Sequence, residues 1–345
     1  MSPARRPAAE PNDQAGATIS QLAELAGVSV ATISKVVNGH PDVAPETRAT
    51  VEGVIRAHGY RRKRRATRSQ LVEVVLHAIT GDYATEILNG AAQVAAAHGL
   101  AVVVSELHGR HTPDRDWIEG VLARRPAGVV AVFSGPTPSQ QERLHSRGIP
   151  IVLVDPTDEP DRGVWSVGTS NWSGGLSATR HLLELGHRRI ATITGPFRTL
   201  SGRARLDGYR AALDNAGVKV DPALIREGDF QIADGREHTR DLLRLPDPPT
   251  AIVACNDGTA LGVYQAAHEA GLRIPTDLSV VGFDDIPSSR EMIPPLTTVR
   301  QPLRDMAAAA TEAVLALSRD EPPRQSRLVL ATDLVVRAST APPAR

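Results

Sequence analysis

Three acids and an amide stand where short apolar runs stop. Asp155 follows IVLV, Asn256 and Asp257 follow AIVAC, and Asp284 ends VVGFD, with Asp285 after it. Runs of this length and composition suit buried parallel strands. In an open α/β sheet a ligand sits in the crevice beyond the carboxyl ends of the strands. Carboxylates and amides placed there can accept from, and donate to, the hydroxyls of a sugar-like molecule. A purine or nucleoside fits the same set. Turnover chemistry is not indicated: no phosphate loop or nucleophile–base spacing is present, the histidines are scattered, and Cys255 is the single cysteine. Zinc-type spacing and an internal disulfide are both excluded, so no metal and no cofactor are expected.

A second group of polar side chains lies near the N-terminus, in TISQLAELAGVSVATISKVVNG. With a step of about 100° per residue, Ile19, Leu22, Ala23, Leu25 and Ala26 fall on one arc of a helix. Gly27 ends that helix, and Ser29 is placed to cap the next. There Ile33, Val36 and Val37 cluster on one side, while Val30, Ala31, Ser34 and Lys35 share the outward arc. A third helix buries Val51, Val54, Ile55 and the stem of His58, and stops at Gly59. Two helices joined by a tight turn and braced by a third form a helix-turn-helix, whose second helix presents its N-terminal residues to base edges in a DNA major groove. A plain three-helix bundle with merely solvated Ser and Lys has the same periodicity.

The chain has 345 residues, enough for a small domain and a large one. Its formal net charge is zero, yet residues 1–70 carry a net +5 and the remainder a net −5. A basic head suits phosphate contacts, and an acidic body discourages non-specific adhesion. Arg61, Arg62, Lys63, Arg64, Arg65 and Arg68 crowd one linker, which predicts a basic hinge on phosphates or in the minor groove. Such runs also occur as plain solvated linkers. Residues 1–16 lack periodicity and predict a disordered tail. No apolar run reaches 18 residues and no apolar leader core is visible, so neither a membrane span nor a signal peptide is expected. The single cysteine suits a reducing cytoplasm.

From Leu71 the period changes. Strands at LVEVVLHAI, LAVVVSE, AGVVAVF and IPIVLVD alternate with helices at Thr85–His98, WIEGVLARR and QQERLHSR. After SNWSGG the alternation resumes, with helices over 174–185, 201–216, 235–243 and 258–270. Its strands are RIATITG, a short one around Ile225, AIVAC and SVVGFDD. A helix over 306–317 and a strand RLVLATDLVVR finish the pattern. Such alternation makes right-handed βαβ units and parallel sheets covered by helices. Two successive sets predict two Rossmann-like lobes with a cleft between them.

The N-terminal stretch, continued by Thr47-Arg48, Val51 and Gly59-Tyr60, resembles the start of the lactose-repressor (LacI/GalR) family of transcription regulators. VDP, LGHRRIATITGP, RLDGYRAAL, NDGTALG and SVVGFDDI…PPLTTVRQP follow in the order of that family's effector domain, so the likeness spans about residues 18–338. It implies a small all-α helix-turn-helix head and an α/β two-lobed, periplasmic-binding-protein-like effector domain. The domains implied are a 1–16 tail, a 17–60 helix-turn-helix, a 61–70 basic hinge, and a 71–340 effector-binding and dimerisation domain. Lobe 1 takes about 71–168 plus 297–322, and lobe 2 about 169–296 plus 323–340.

The resemblance assigns base reading to Val30, Ala31 and Lys35, and phosphate contacts to Ser29, Thr32, Ser34, Asn38 and Thr47. Lys35 can donate to guanine, whereas Val30 and Ala31 can touch only thymine methyls. At the cleft it assigns Arg205, the aromatic Phe230 and, from the first lobe, Tyr83, beside Asp155, Asn256 and Asp284. Trp172 is a candidate second aromatic wall, while Trp117 and Trp165 are expected to pack inside. Ala44 replaces the family's usual Ser before Pro45, which removes a cap. The linker departs further: no Pro-Asn pair follows Tyr60, and Ser69 stands where the family's hinge helix carries a DNA-wedging leucine. Leu71 is either a displaced wedge or the first residue of strand one, and a charge-driven contact is the expectation for this linker. What the resemblance implies is a cytoplasmic, non-enzymatic repressor, a homodimer on a pseudo-palindromic operator, controlled by a small carbohydrate effector. A purine- or nucleoside-responsive, co-repressed regulator is the alternative. A sugar-binding protein or enzyme with a DNA tether is the more distant one.

Overall fold

The computed structural model describes residues 19–37, 43–57, 69–161 and 163–344. The chain falls into two compact units, residues 1–67 and 68–345. The expected tail, Asn38, His58 to Tyr60 and the six basic linker residues lie outside the described residues, as do the side chains of Ser34 and Val37.

The smaller unit holds α1 (Ile19–Ala26), α2 (Val30–Val37) and α3 (Pro45–Ala57). Gly27 takes φ +65°, the left-handed turn that only glycine adopts freely, and Val28 N–H reaches back to Ala23 O at 3.0 Å. Ser29 caps α2 by accepting from Thr32 N–H at 3.1 Å. Leu22, Ala23, Ile33, Val36 and Val51 make the buried core, with Val54 and Ile55 packed against it. Leu25 corrects the expected arc, for it is 53% exposed. On the helical wheel it sits about 60° outside Leu22, and the two partner helices cover only the centre of the arc.

In the larger unit, β1 (Leu71–Leu76), β2 (Ala101–Glu106), β3 (Gly128–Val132), β4 (Ile151–Val154) and β5 (Trp165–Thr169) alternate with α4 (Gly81–Ala97), α5 (Arg115–Arg124) and α6 (Pro138–His145). Next come α7 (Asn171–Glu184), β6 (Ile190–Thr194), α8 (Leu200–Asn215), β7 (Ile225–Glu227), α9 (Ile232–Leu243) and β8 (Ala251–Ala254). They are followed by α10 (Asp257–Glu269), β9 (Ser279–Asp284), α11 (Ser288–Glu291) and β10 (Thr297–Arg300). α12 (Leu303–Ser318), β11 (Arg327–Leu330) and β12 (Asp333–Val335) complete the order. The strands form two six-stranded sheets, ordered β11-β5-β4-β3-β1-β2 and β12-β10-β9-β8-β6-β7. Among the described residues only the β10–β12 ladder is antiparallel. Val72, Val74, Val130, Val132, Val152 and Val154 are buried, as strands covered on both faces require. Trp117 is buried in the opposite layer and Trp165 packs on the first, both as expected.

The two sheets confirm the two lobes and move their boundaries. The expected boundary at 297 is wrong, because β10 pairs with β9 and belongs to the second lobe. The expected boundary at 323 is wrong too, because β11 pairs with β5 in the first lobe and only β12 returns to the second. The run RLVLATDLVVR reads as one strand since both halves are apolar, but the chain changes sheets at Ala331-Thr332. Trp165–Thr169 forms a strand that its short, mixed sequence did not announce. Leu71 pairs with Ala101 and so starts strand one. Ser69 donates through both N–H and Oγ to Arg125 O, so the last residues of the expected hinge already belong to this unit.

Three crossings join the lobes: at Ser170, at Gln301-Pro302 and at Ala331-Thr332. They are bonded to one another. Ser170 N–H donates to Leu330 O at 2.9 Å, Thr332 Oγ1 to Ser170 O at 3.3 Å, and Thr169 Oγ1 to Gln301 Oε1 at 2.8 Å. In the second lobe α7 and α8 pack backbone to backbone. A Cβ on Gly175 would lie 2.2 Å from Arg205 O, and one on Gly208 would lie 2.2 Å from Trp172 O. That contact fixes the stretch of α8 that carries Arg205.

Candidate ligand cleft and DNA-facing helix

A cavity of about 390 Å³ opens between the two lobes. The first lobe contributes His77, Asp82, Tyr83, Phe133 and Asp155, and the second contributes Arg205, Asp229, Phe230, Asn256 and Asp284. Six of the seven expected effector residues therefore meet in one place. Trp172 does not. It is 46% exposed in the first turn of α7 and lies outside the cavity lining, so the expected second aromatic wall is corrected.

The lining residues stand where strands end. Phe133 follows β3, Asp155 follows β4 and Asp284 is the last residue of β9. All three take positive φ (47°, 47° and 113°), as does Phe230 at 62°. Non-glycine residues in that region cost energy and cluster where the surrounding structure enforces a functional geometry.

Arg205 organises the floor. Its Nε donates to Asn171 Oδ1 at 2.8 Å, its Nη1 donates to Cys255 O and lies 3.9 Å from Asp284, and its guanidinium stacks 3.7 Å above Phe283. Gln301 Nε2 donates to the same Asp284 carboxyl, so one side chain reaches from a lobe crossing into the cavity. Asn256 spends its Oδ1 on Thr259 N–H, capping α10, and its Nδ2 on Phe230 O. It braces the wall as well as lining the cavity. Asp257, beside it, is fully buried and accepts from Ile286 N–H and Thr298 Oγ1.

Burial dominates the electrostatics. It raises the Asp155 carboxyl, and Arg205 and Asn171 pull it back in part. It pushes Asp284 up to about 7, against the pull of Arg205 and Gln301. The Tyr83 phenol is raised by burial and by the two facing carboxyls, and its hydroxyl has no hydrogen-bond partner among the described residues. Asp284 then makes a pH prediction. Its folded pKa lies above its unfolded value, so folding is favoured while it keeps its proton and loses stability as pH rises from about 4 to about 7. The Tm of Asp284→Asn relative to the wild type should therefore rise steadily from pH 4 to pH 8. An unchanged Tm difference across that range would contradict the assignment.

The mouth of the cavity holds residues that the strand-end rule found only in part. His77 and His111 stack with centroids 4.2 Å apart, and Phe133 meets both rings edge-on. Phe133 also meets Phe230 of the other lobe at 5.4 Å. His111 Nδ1–H donates to Phe133 O, and Nε2 accepts from Arg198 of the second lobe at 3.1 Å, which specifies a neutral imidazole. Burial lowers its pKa accordingly. Phe133 ends AGVVAVF and Gln301 follows β10, so the rule that picked out Asp155 applied to both. The histidines gave no sequence signal, because 34 residues separate them.

In the smaller unit, Val30 is 50% exposed, and Ala31 and Lys35 are exposed beside it, while Ile33 and Val36 face the core. Ser29 Oγ lies 2.9 Å from Thr32 Oγ1 at the start of the same helix. Thr47 is partly exposed in the first turn of α3. Among the described residues no helix is long and apolar enough to cross a membrane.

Comparison with known proteins covers both units. Residues 18–63 match the model of bacterial regulatory proteins of the lacI family, and residues 179–340 match the periplasmic binding protein-like domain. The ribose operon repressor of Escherichia coli K12 is 31% identical over 331 residues, covering 94% of this chain and 99% of the relative. Among solved structures, a transcriptional regulator CelR–cellobiose complex has a TM-score of 0.71 at 32% identity, covering 94% of this chain and 99% of that one. The lac repressor dimer bound to operator and the anti-inducer ONPF has a TM-score of 0.68 at 29% identity, covering 95% and 100%. Outward polar helix, two-lobed cleft and full-length likeness agree: the chain belongs to the lacI family of bacterial regulatory proteins.

Proposed function

We propose that this protein is a cytoplasmic repressor that leaves its operator when a small ligand occupies the cleft between its lobes. The observation that carries it is the pairing, on one chain, of an exposed α2 face with a cavity lined from both lobes. Val30, Ala31 and Lys35 read base edges. Ser29, Thr32, Ser34, Asn38 and Thr47 fix register on phosphates, helped by the charges of Arg61, Arg62, Lys63, Arg64, Arg65 and Arg68. Each head covers a half-site, so a homodimer on a pseudo-palindrome is the working unit, as with the lac repressor dimer on its operator. Tyr83, Asp155, Arg205, Phe230, Asn256 and Asp284 hold the ligand. Ligand and operator favour different lobe arrangements, and each weakens the other by the same factor.

Two apolar base readers leave directional specificity to Lys35. A good base contact discriminates by about 1–3 kcal/mol. Lys35→Ala should therefore lose operator preference over random DNA by roughly 5- to 150-fold per half-site, while keeping most of its salt-dependent affinity. Gel-shift titrations against operator and random duplexes measure both, and equal losses on the two would refute the role. A turnover assay with candidate sugars separates this function from that of an enzyme, and is expected to show none.

A further inference from the structure

One hydrogen bond at the mouth of the larger unit depends on a charge state. His111, on the loop after β2, accepts through Nε2 from Arg198 Nη2 at 3.1 Å, while its Nδ1–H donates to Phe133 O. Arg198 stands between β6 and α8 in the other lobe, its Nη2 3.7 Å from Asp229 Oδ1. The contact therefore joins the lobes directly. An imidazole has one acceptor nitrogen when neutral and none when protonated. A proton on Nε2 turns that acceptor into a second donor and sets two cations face to face.

The surroundings make His111 the group that changes. His77 stacks on it at 4.2 Å and is tied through Nδ1 to Arg110 O. The Arg110 guanidinium is engaged by Asp114 at 2.7 Å. Burial works most strongly against a charge on His111, and His77 and Arg198 add to it, while the bond to Phe133 O and the Asp229 carboxylate oppose it. The balance holds the ring below its ordinary value of 6.5. When the lobes part, His111 meets water and loses Arg198, so its proton affinity rises. A group that binds protons more tightly in the open form favours opening as pH falls. Among the described residues two other hydrogen bonds bridge the lobes away from the crossings, Ser288 N–H to Asp82 and Leu200 N–H to Thr157 O, both at 2.9 Å. Neither involves an imidazole.

We propose that His111 and Arg198 form a proton-operated latch: neutral His111 holds the two lobes together, and its protonation frees them. The latch acts on the lobes themselves, whatever the cavity holds, and makes acidity a signal that the larger unit senses directly. Double electron–electron resonance on the full chain tests it, with nitroxides on Ser139→Cys and Glu237→Cys, exposed positions on α6 and α9 in opposite lobes. Cys255, the single native cysteine, is buried and stays unlabelled. As pH falls from 8 to 5, the wild type should gain a population longer by roughly 2 Å or more. The midpoint of that change should lie below the ordinary imidazole value of 6.5. His111→Gln keeps an amide oxygen as acceptor at every pH and should stay at the short distance throughout. Arg198→Ala should show the long distance already at pH 8. Histidine ¹⁵N spectra read the ring independently of any lobe motion: His111 should carry its proton on Nδ1 at pH 8, and should titrate at higher pH in Arg198→Ala. An unchanged wild-type distance distribution, the same acid response in His111→Gln, or a His111 that titrates alike with and without Arg198 overturns the latch.

Discussion

Arg205→Ala is expected to abolish ligand-dependent release of DNA and to destabilise the larger unit by about 3–5 kcal/mol, the usual penalty for removing one partner of a buried charge pair. The side chain is 8% exposed and serves four groups: Asn171, Cys255 O, Asp284 and the Phe283 ring. Without it Asp155 and Asp284 lose the cation that holds down their pKa values, and Asn171 Oδ1 loses its donor. Protonation of the two carboxyls relieves part of the loss. The deficit should accordingly be smaller at pH 5 than at pH 8. Urea unfolding at both pH values, followed through the cavity-facing unit, measures it. A variant that keeps wild-type stability at pH 8 and still responds to ligand would exclude Arg205 from both roles.

Ile33→Ala is expected to abolish operator binding without touching ligand binding. The head's described core has five buried side chains, and Ile33 is completely covered among them. Truncating a buried Ile to Ala costs about 2–5 kcal/mol, and a domain this small holds only about 3–5 kcal/mol in reserve. The larger unit has its own cores and its own sheets. Two separate thermal transitions are thus predicted, with the head's transition lowered into the working range and that of residues 68–345 unmoved. A variant that retains operator affinity would show that the head is more stable than its core implies.

The periodic signals were the legible ones. Alternating apolar runs gave two parallel sheets, and strand ends located Asp155, Asn256 and Asp284 before any packing was known. What stayed hidden has physical causes. Several helices begin about a turn earlier than their apolar period, as α4 does at Gly81 rather than Thr85. The first turn of α4, Gly81 to Ala84, carries a glycine and an acid and no apolar repeat, so hydrophobic spacing does not mark it. The crossing inside RLVLATDLVVR was invisible because a strand's composition does not reveal which sheet accepts it. Trp172 shows the converse failure: an aromatic just past a strand end faces outward when the next helix starts at once. The histidine pair at the cleft mouth exists only through tertiary contact, and no local spacing could announce it.

The three bonded crossings behave like a three-ply strap. A cut at Gln301-Pro302 or Ala331-Thr332 leaves residues 68–300 in one piece, so limited proteolysis there should not shed half of the cavity lining, whereas a cut at Ser170 leaves residues 68–169 held to the rest by packing alone. A short strap of this kind resists stretch and shear but bends, which reduces lobe motion towards a single angle. Gln301 runs in the strap and grips Asp284 in the cavity. A ligand that draws on Asp284 therefore pulls at the fulcrum, where a sub-ångström shift sweeps the far ends of the lobes through a much larger arc.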